Sequence, residues 1–180
     1  MNKLMTIALL LAVALAYSPE ASAQDFSGLD KSPLDVAYYR ASRGSAPAMR
    51  VLYSRPQMNG RKVFGNLVAY DKVWRLGANE STEIQFFEDV TINGTEVAAG
   101  RYTVYATPGE KEWEVSFNTD VDTWGAYAYN AEKNVASITV PAETAEKAIE
   151  AFSITFEKAE DGAHMVMGWE NTVVRVPIGF

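Results

Sequence analysis

Alternation at a period of two limits what this chain can become more than any other feature. Met49, Val51 and Tyr53 alternate with Arg50, Leu52 and Ser54, and Ile84 and Phe86 alternate with Glu83 and Gln85. The same rhythm returns in Tyr102, Val104 and Ala106, in Trp113, Val115 and Phe117, and in Phe152, Ile154 and Phe156. Successive side chains of a strand point to opposite faces, so each run predicts a strand with one face buried and one wet. β-Branched and aromatic residues fill these runs, as a pleated, half-buried surface favours. Asn93-Gly94, between Val90-Thr91-Ile92 and Thr95-Glu96-Val97, is the strongest hairpin signal. A type I′ turn needs positive φ at both central residues, and Asn-Gly supplies it at least cost. Pro108-Gly109 and Asp161-Gly162 mark further turns. Pro177 cannot donate to a ladder, so the last strand is expected at an edge or ending there. The only helical expectation is one or two turns over Ala142–Ile149. Eight or nine short strands at turn spacing predict an all-β fold, an antiparallel two-sheet β-sandwich of jelly-roll or related order, with a closed barrel as the alternative.

The N-terminus reads as an export signal. Lys3 precedes an apolar run from Met5 to Ala16, broken only by Thr6, and Ala21-Ser22-Ala23 forms a small-x-small cleavage site. The run falls short of the about 20 apolar residues a spanning helix needs. The expected organisation is a signal peptide at 1–23, a lead-in at 24–48 rich in Gly, Pro, Ser and Ala that lies on the body, and the β-sandwich at 49–180. Export to the periplasm or beyond follows, without membrane insertion after cleavage.

Charge and cysteine content exclude several function classes. Lys and Arg number 16 against 23 Asp and Glu, a net charge of −7. That balance argues against nucleic acid, which draws on clustered basic residues, and against docking on an anionic membrane. With no cysteine and a single histidine, thiol catalysis, iron–sulfur clusters and the usual zinc sites lack their ligands. No cofactor or metal is indicated. His164 alternates away from Met165, Met167 and Trp169, and no G-x-S-x-G accompanies it, so it reads as a surface or packing residue. Gly60 to Gly65 has the glycine spacing of a phosphate loop but continues into Asn66-Leu67, without the lysine that reaches the phosphates. Asn118, Asp120 and Asp122 open like a calcium loop, yet Thr123 stands where glycine is required and Tyr129 where the bidentate Glu belongs, so a polar turn is expected.

The segment Ser54–Thr82 is the richest in binding chemistry. Arg55, Arg61 and Arg75 offer forks for carboxylate, phosphate or sulfate. Trp74 offers a flat apolar face for a ring, and Asn79 and Glu80 add an amide and a carboxylate. Trp124, in Trp124-Gly125-Ala126-Tyr127, is a second aromatic of the same kind. These seven residues are the candidate ligand-binding set, and none is assigned a catalytic role. The competing reading makes the arginines ion pairs that pin a long loop to the body. A non-enzymatic module binding a small, saccharide-like or anionic ligand is the first expectation. A carboxylate hydrolase using two of Asp71, Glu80 and Glu170 is the alternative, and an envelope module that binds another protein is the third.

The same residues resemble a known family. Ser54-Arg55-Pro56, Gly60-Arg61, Phe64-Gly65, Leu67-Val68, Tyr70 and Val73-Trp74-Arg75-Leu76-Gly77-Ala78-Asn79-Glu80 are similar to the signature of the domain of unknown function 2911 family. The likeness continues through Val90–Gly94, Ala99–Tyr102, Trp113, Trp124-Gly125 and Trp169-Glu170, and reaches back to Ser32–Tyr39, so it covers nearly all of the chain after the signal. The resemblance implies an exported, β-rich domain of a Gram-negative envelope, mostly found in Bacteroidota. It implies no established activity and carries over no catalytic residue.

Overall fold

The computed structural model describes residues 24–180, so the expected signal peptide lies outside the described residues. Nine strands run β1 (Leu34–Tyr39), β2 (Met49–Ser54), β3 (Glu83–Phe86), β4 (Val90–Ile92), β5 (Thr95–Val97), β6 (Gly100–Pro108), β7 (Glu112–Asn118), β8 (Asn134–Ala159) and β9 (Gly162–Gly179). All pairings are antiparallel, in the order β1-β2-β3-β6-β7-β8-β9-β4-β5. The order starts at β1 and stops at β5, so the ladder is open and the barrel alternative does not hold.

β8 joins two halves of the ladder. Asn134–Pro141 pairs with β7, and Ala142–Ala159 pairs with β9. One cluster of buried side chains draws on both halves, including Val51, Val104 and Phe117 from the first and Phe152, Met167 and Val176 from the second. This arrangement is compatible with the expected sandwich.

Ala142–Ile149 is strand, not helix. Ala142, Glu143 and Thr144 pair with Val174, Val173 and Thr172 of β9. The ladder resumes at Ile149 opposite Glu170, so Ala145, Glu146, Lys147 and Ala148 bulge out against Asn171. Tertiary pairing outweighs the modest helix propensity of the Ala-Glu-Lys stretch. Pro177 is likewise inside β9, which is flanked by β8 and β4 and is not an edge. β8 pairing ends at Val174 and β4 is met at Gly179, so Pro177 sits where no ladder bond is required.

The wet face expected of β6 and β7 is also covered. Thr103, Tyr105, Ser116 and Asn118 are buried. The segment between β7 and β8 folds over them. The Thr103 hydroxyl donates to the Asp120 carbonyl at 2.5 Å, Tyr105 and Tyr129 meet edge to face with centroids 4.9 Å apart, and Asn118 Nδ2 donates to Asn134 Oδ1 at 2.8 Å.

Two turns show different uses of glycine. Asn93 and Gly94 both adopt positive φ, 50° and 76°, as a type I′ hairpin requires. A Cβ on Gly94 would meet nothing within 4 Å. Gly162, at φ 147° where β8 turns into β9, is packed on the chain terminus, and a Cβ there would stand 2.1 Å from the Ile178 carbonyl oxygen. Gly94→Ala is therefore expected to cost only the left-handed strain, about 1–2 kcal/mol. Gly162→Ala must also displace the end of β9, adding about 1–3 kcal/mol of overpacking. Urea unfolding of both variants checks this ordering, and equal losses would contradict it.

Candidate functional site

The connection between β2 and β3, residues 55–82, is built into the body by both backbone and side chains. Met58 N–H donates to the Glu150 carbonyl and Phe152 N–H to the Pro56 carbonyl, tying its start to β8. Trp74 exchanges backbone bonds with Ala106 of β6, and Glu80 bridges Trp124. Phe64 and Trp74 project inward among Trp113, Phe152 and Trp169. Trp74 stacks on Trp169 at 5.9 Å and 20°, and Phe64 meets Trp113 at 5.0 Å.

This packing accounts for the run Trp74–Glu80. The Trp74 indole N–H donates to the Gly77 carbonyl at 3.1 Å, closing a tight local turn. Leu76 is wholly buried with φ 57°, a left-handed conformation costly for a side chain of its size. The Thr82 hydroxyl holds the Leu76 carbonyl at 2.5 Å. Gly77 passes so close to β2 that a Cβ would lie 3.0 Å from the Ser54 carbonyl oxygen. Asn79, also left-handed at φ 59°, turns the chain outward to Glu80.

The seven candidate residues therefore separate into three groups. Arg55 is a fastener: Nε donates to the Phe152 carbonyl at 3.1 Å, one Nη to Asp35 at 2.9 Å and the other to Ser153 Oγ at 2.8 Å, joining β2 to β1 and β8. Beside it the Tyr53 hydroxyl donates to the Ile154 carbonyl at 3.2 Å, and burial pushes the pKa of that phenol up. Arg61, Trp74 and Arg75 line a cavity of about 280 Å³ with Leu67, Val68 and Trp169. There Trp74 is a core wall, only 9% exposed, and not an open platform. Asn79, Glu80 and Trp124 line a separate, larger cavity.

That larger cavity, about 460 Å³, lies where β1 and β2 meet the 79–83 and 122–124 segments, within the about 300–1,000 Å³ typical of ligand sites. Trp124 stands at its wall 60% exposed. Ser54, Ser81, Glu80 and Glu83 supply polar groups, and Leu34 and Leu52 supply apolar surface. Asp122 lies at the rim in a left-handed conformation, φ 58°. It holds Arg101 two-point at 3.0 and 2.5 Å, and Glu83 stands 3.4 Å from the same guanidinium. The bond from Asp122, reinforced by Glu83, raises the Arg101 pKa above its ordinary value. Glu80 has no ion-pair partner among the described residues. Asp71 and Glu170 do not line this cavity; Glu170 accepts the Phe64 N–H at 3.2 Å instead.

Sequence reasoning missed Ser54, Ser81, Glu83, Leu34 and Leu52. Glu83 and Leu52 sit opposite one another on adjacent strands, and their alternation read only as a solvent face. Asp122 was visible as part of a turn, and the turn is polar as expected: Asn118 Oδ1 accepts the Asp120 N–H at 2.9 Å and Lys133 pairs with Asp120 at 2.6 Å.

The division into fastener and wall has measurable consequences. Trp74→Ala empties the centre of the aromatic cluster and is expected to cost about 3–5 kcal/mol in urea unfolding. Arg55→Ala unpairs the groups it joins and is expected to cost about 1–3 kcal/mol. Arg61→Ala, on an exposed loop, is expected to cost at most about 1 kcal/mol. A Trp74→Ala variant as stable as the parent would remove the packing role assigned to this residue.

No curated protein and no solved structure matches this chain. The family described as "Protein of unknown function (DUF2911)" matches residues 32–178, a span that takes in the inserted Phe64 and Trp74, the Arg55 fastener, the smaller cavity and all of the larger one but Asp30, and the chain belongs to that family.

Proposed function

We propose that the chain is exported and acts as a non-enzymatic binding module for a small, neutral, saccharide-like ligand seated against Trp124. The observation that carries this reading is an exposed tryptophan at the wall of a cavity that also offers carboxylates, hydroxyls and an amide. A sugar ring presents an apolar face of C–H groups and a rim of hydroxyls. The indole suits the face. Glu80, Asn79 and Ser54 suit the rim, since carboxylates accept and amides and serine hydroxyls both donate and accept. Asp30, Glu80, Glu83 and Asp122 line the same cavity with no basic side chain. Glu83 and Asp122 are paired with Arg101, but Asp30 and Glu80 have no ion-pair partner among the described residues, so an anionic ligand would meet like charge there and the neutral member of the expected ligand classes is favoured.

Thermal shift of the purified chain against a panel of neutral mono- and oligosaccharides tests the site. A ligand at 100 times its dissociation constant adds about 2.7 kcal/mol of stability. Trp124→Ala is expected to keep the parental unfolding midpoint without ligand and to lose at least tenfold in affinity. A panel without any stabilising sugar, or full affinity in Trp124→Ala, would overturn the reading. Export is tested separately by cell fractionation with N-terminal sequencing. The expected mature chain begins at Gln24 outside the cytoplasm, and a cytoplasmic chain retaining Met1 would contradict it.

A further inference from the structure

The smaller cavity has the opposite chemistry. Two arginines, Arg61 and Arg75, are among its lining residues, and no acidic residue is. That is unusual in a chain whose net charge is −7. The Trp124 cavity, with which it shares only Ser32 among the lining residues, holds four carboxylates and no base.

Arg75 is unlike the arginines that serve as fasteners. Arg55, Arg101 and Arg175 each pair with carboxylates. Arg75 forms no ion pair among the described residues, and its Nε–H is buried without an acceptor. That Nε–H, like the Nε–H of Arg50, stays unmatched whatever the cavity holds; what a ligand would add is the counter-charge that Arg75 lacks among the described residues, and a cation at an apolar wall gains from one. Arg61 donates Nε to the Met58 carbonyl at 2.8 Å and Nη2 to the Gln57 carbonyl at 2.6 Å, which fixes its position at the same cavity. The remaining wall is largely apolar: Trp74 stacked on Trp169, with Leu67 and Val68 beside them.

We propose that this cavity binds a small organic carboxylate, with its apolar body against Trp74 and Trp169 and its carboxylate held by Arg75 and Arg61. Because the Arg75 Nε is sealed off, the oxygens meet the terminal nitrogens of its fork, a planar two-point match. The apolar surface of Trp74, Leu67 and Val68 favours an anion with an apolar body over inorganic phosphate, which has none. At about 280 Å³ the cavity suits a compact molecule and not a protein segment. The site is independent of the Trp124 cavity, and the two proposals stand or fall separately.

Isothermal titration of the purified chain tests it with phenylacetate and hexanoate, the neutral isostere phenylacetamide, and inorganic phosphate. At least one carboxylate is expected to bind one to one, at least tenfold more tightly than phenylacetamide and than phosphate. Arg75→Gln is expected to weaken that binding at least tenfold. Arg61→Gln, an exposed position that leaves the fold intact, is expected to weaken it at least threefold, and Trp124→Ala to leave it unchanged. The proposal is overturned by failure of both carboxylates to bind or by equal binding of phenylacetamide or phosphate. It is equally overturned by undiminished binding in Arg61→Gln, or in a folded Arg75→Gln.

Discussion

The insertion of Phe64 and Trp74 among Trp113, Phe152 and Trp169 is the contact on which the rest of this structure depends. The open ladder leaves a gap in its apolar interior at the place where β7, β8 and β9 present their aromatics. No strand fills it. Two side chains from an irregular connection do, with ring centroids 5.0–6.3 Å apart throughout the cluster. Aromatic pairs at these separations and mostly tilted geometries contribute beyond their buried area. The connection is thereby a component of the core, and its backbone conformation, including the left-handed Leu76, is held by what its side chains bury.

That constraint also explains where recognition chemistry is left over. A connection fixed at Trp74 and at Arg55 must turn back toward the surface on either side of the wedge. One return carries Asn79 and Glu80 to the Trp124 segment through the Glu80–Trp124 bridge. Arg61, which precedes the wedge, and Arg75, which directly follows Trp74, line the smaller cavity together with Trp74 and Trp169. Two cavities of opposite charge thus flank one aromatic plug. Their residues come from a rigid frame, so little ordering cost is expected on binding.

The strands were legible because their signals are local. Period-two alternation placed β2, β3, β6 and β7, and Asn93-Gly94 placed the β4–β5 hairpin with the turn geometry found. The β8 stretch at Ala142–Ile149 was not legible, because its helix-favouring composition is overruled by pairing with β9 across a bulge, a contact distant in sequence. Burial of Thr103 and Tyr105 was hidden for the same reason: the segment that covers them follows β7. Arginine and tryptophan density singled out Ser54–Thr82 in the sequence. Composition alone could not separate Arg55, which meets Asp35 and Ser153, from Arg75, which forms no ion pair among the described residues; only the fold distinguishes them. Glu83 and Leu52 escaped notice because alternation looks the same whether a strand's outer face meets water or a cavity.

Membership of a family defined over residues 32–178 makes the wedge, the fastener and the paired cavities natural units for comparing its members. The central claim is that residues 55–82 belong to the core and not to a mobile surface loop. Native-state hydrogen exchange tests it most directly, since local opening energies separate core from loop amides. The amides of Met58, Val68, Trp74 and Thr82 donate to the carbonyls of Glu150, Val63, Ala106 and Arg75. They should exchange on the slow scale of Val104 and Val115 in the central strands. Exchange at the rate of an unprotected loop, with β6 and β7 still protected, would contradict the account.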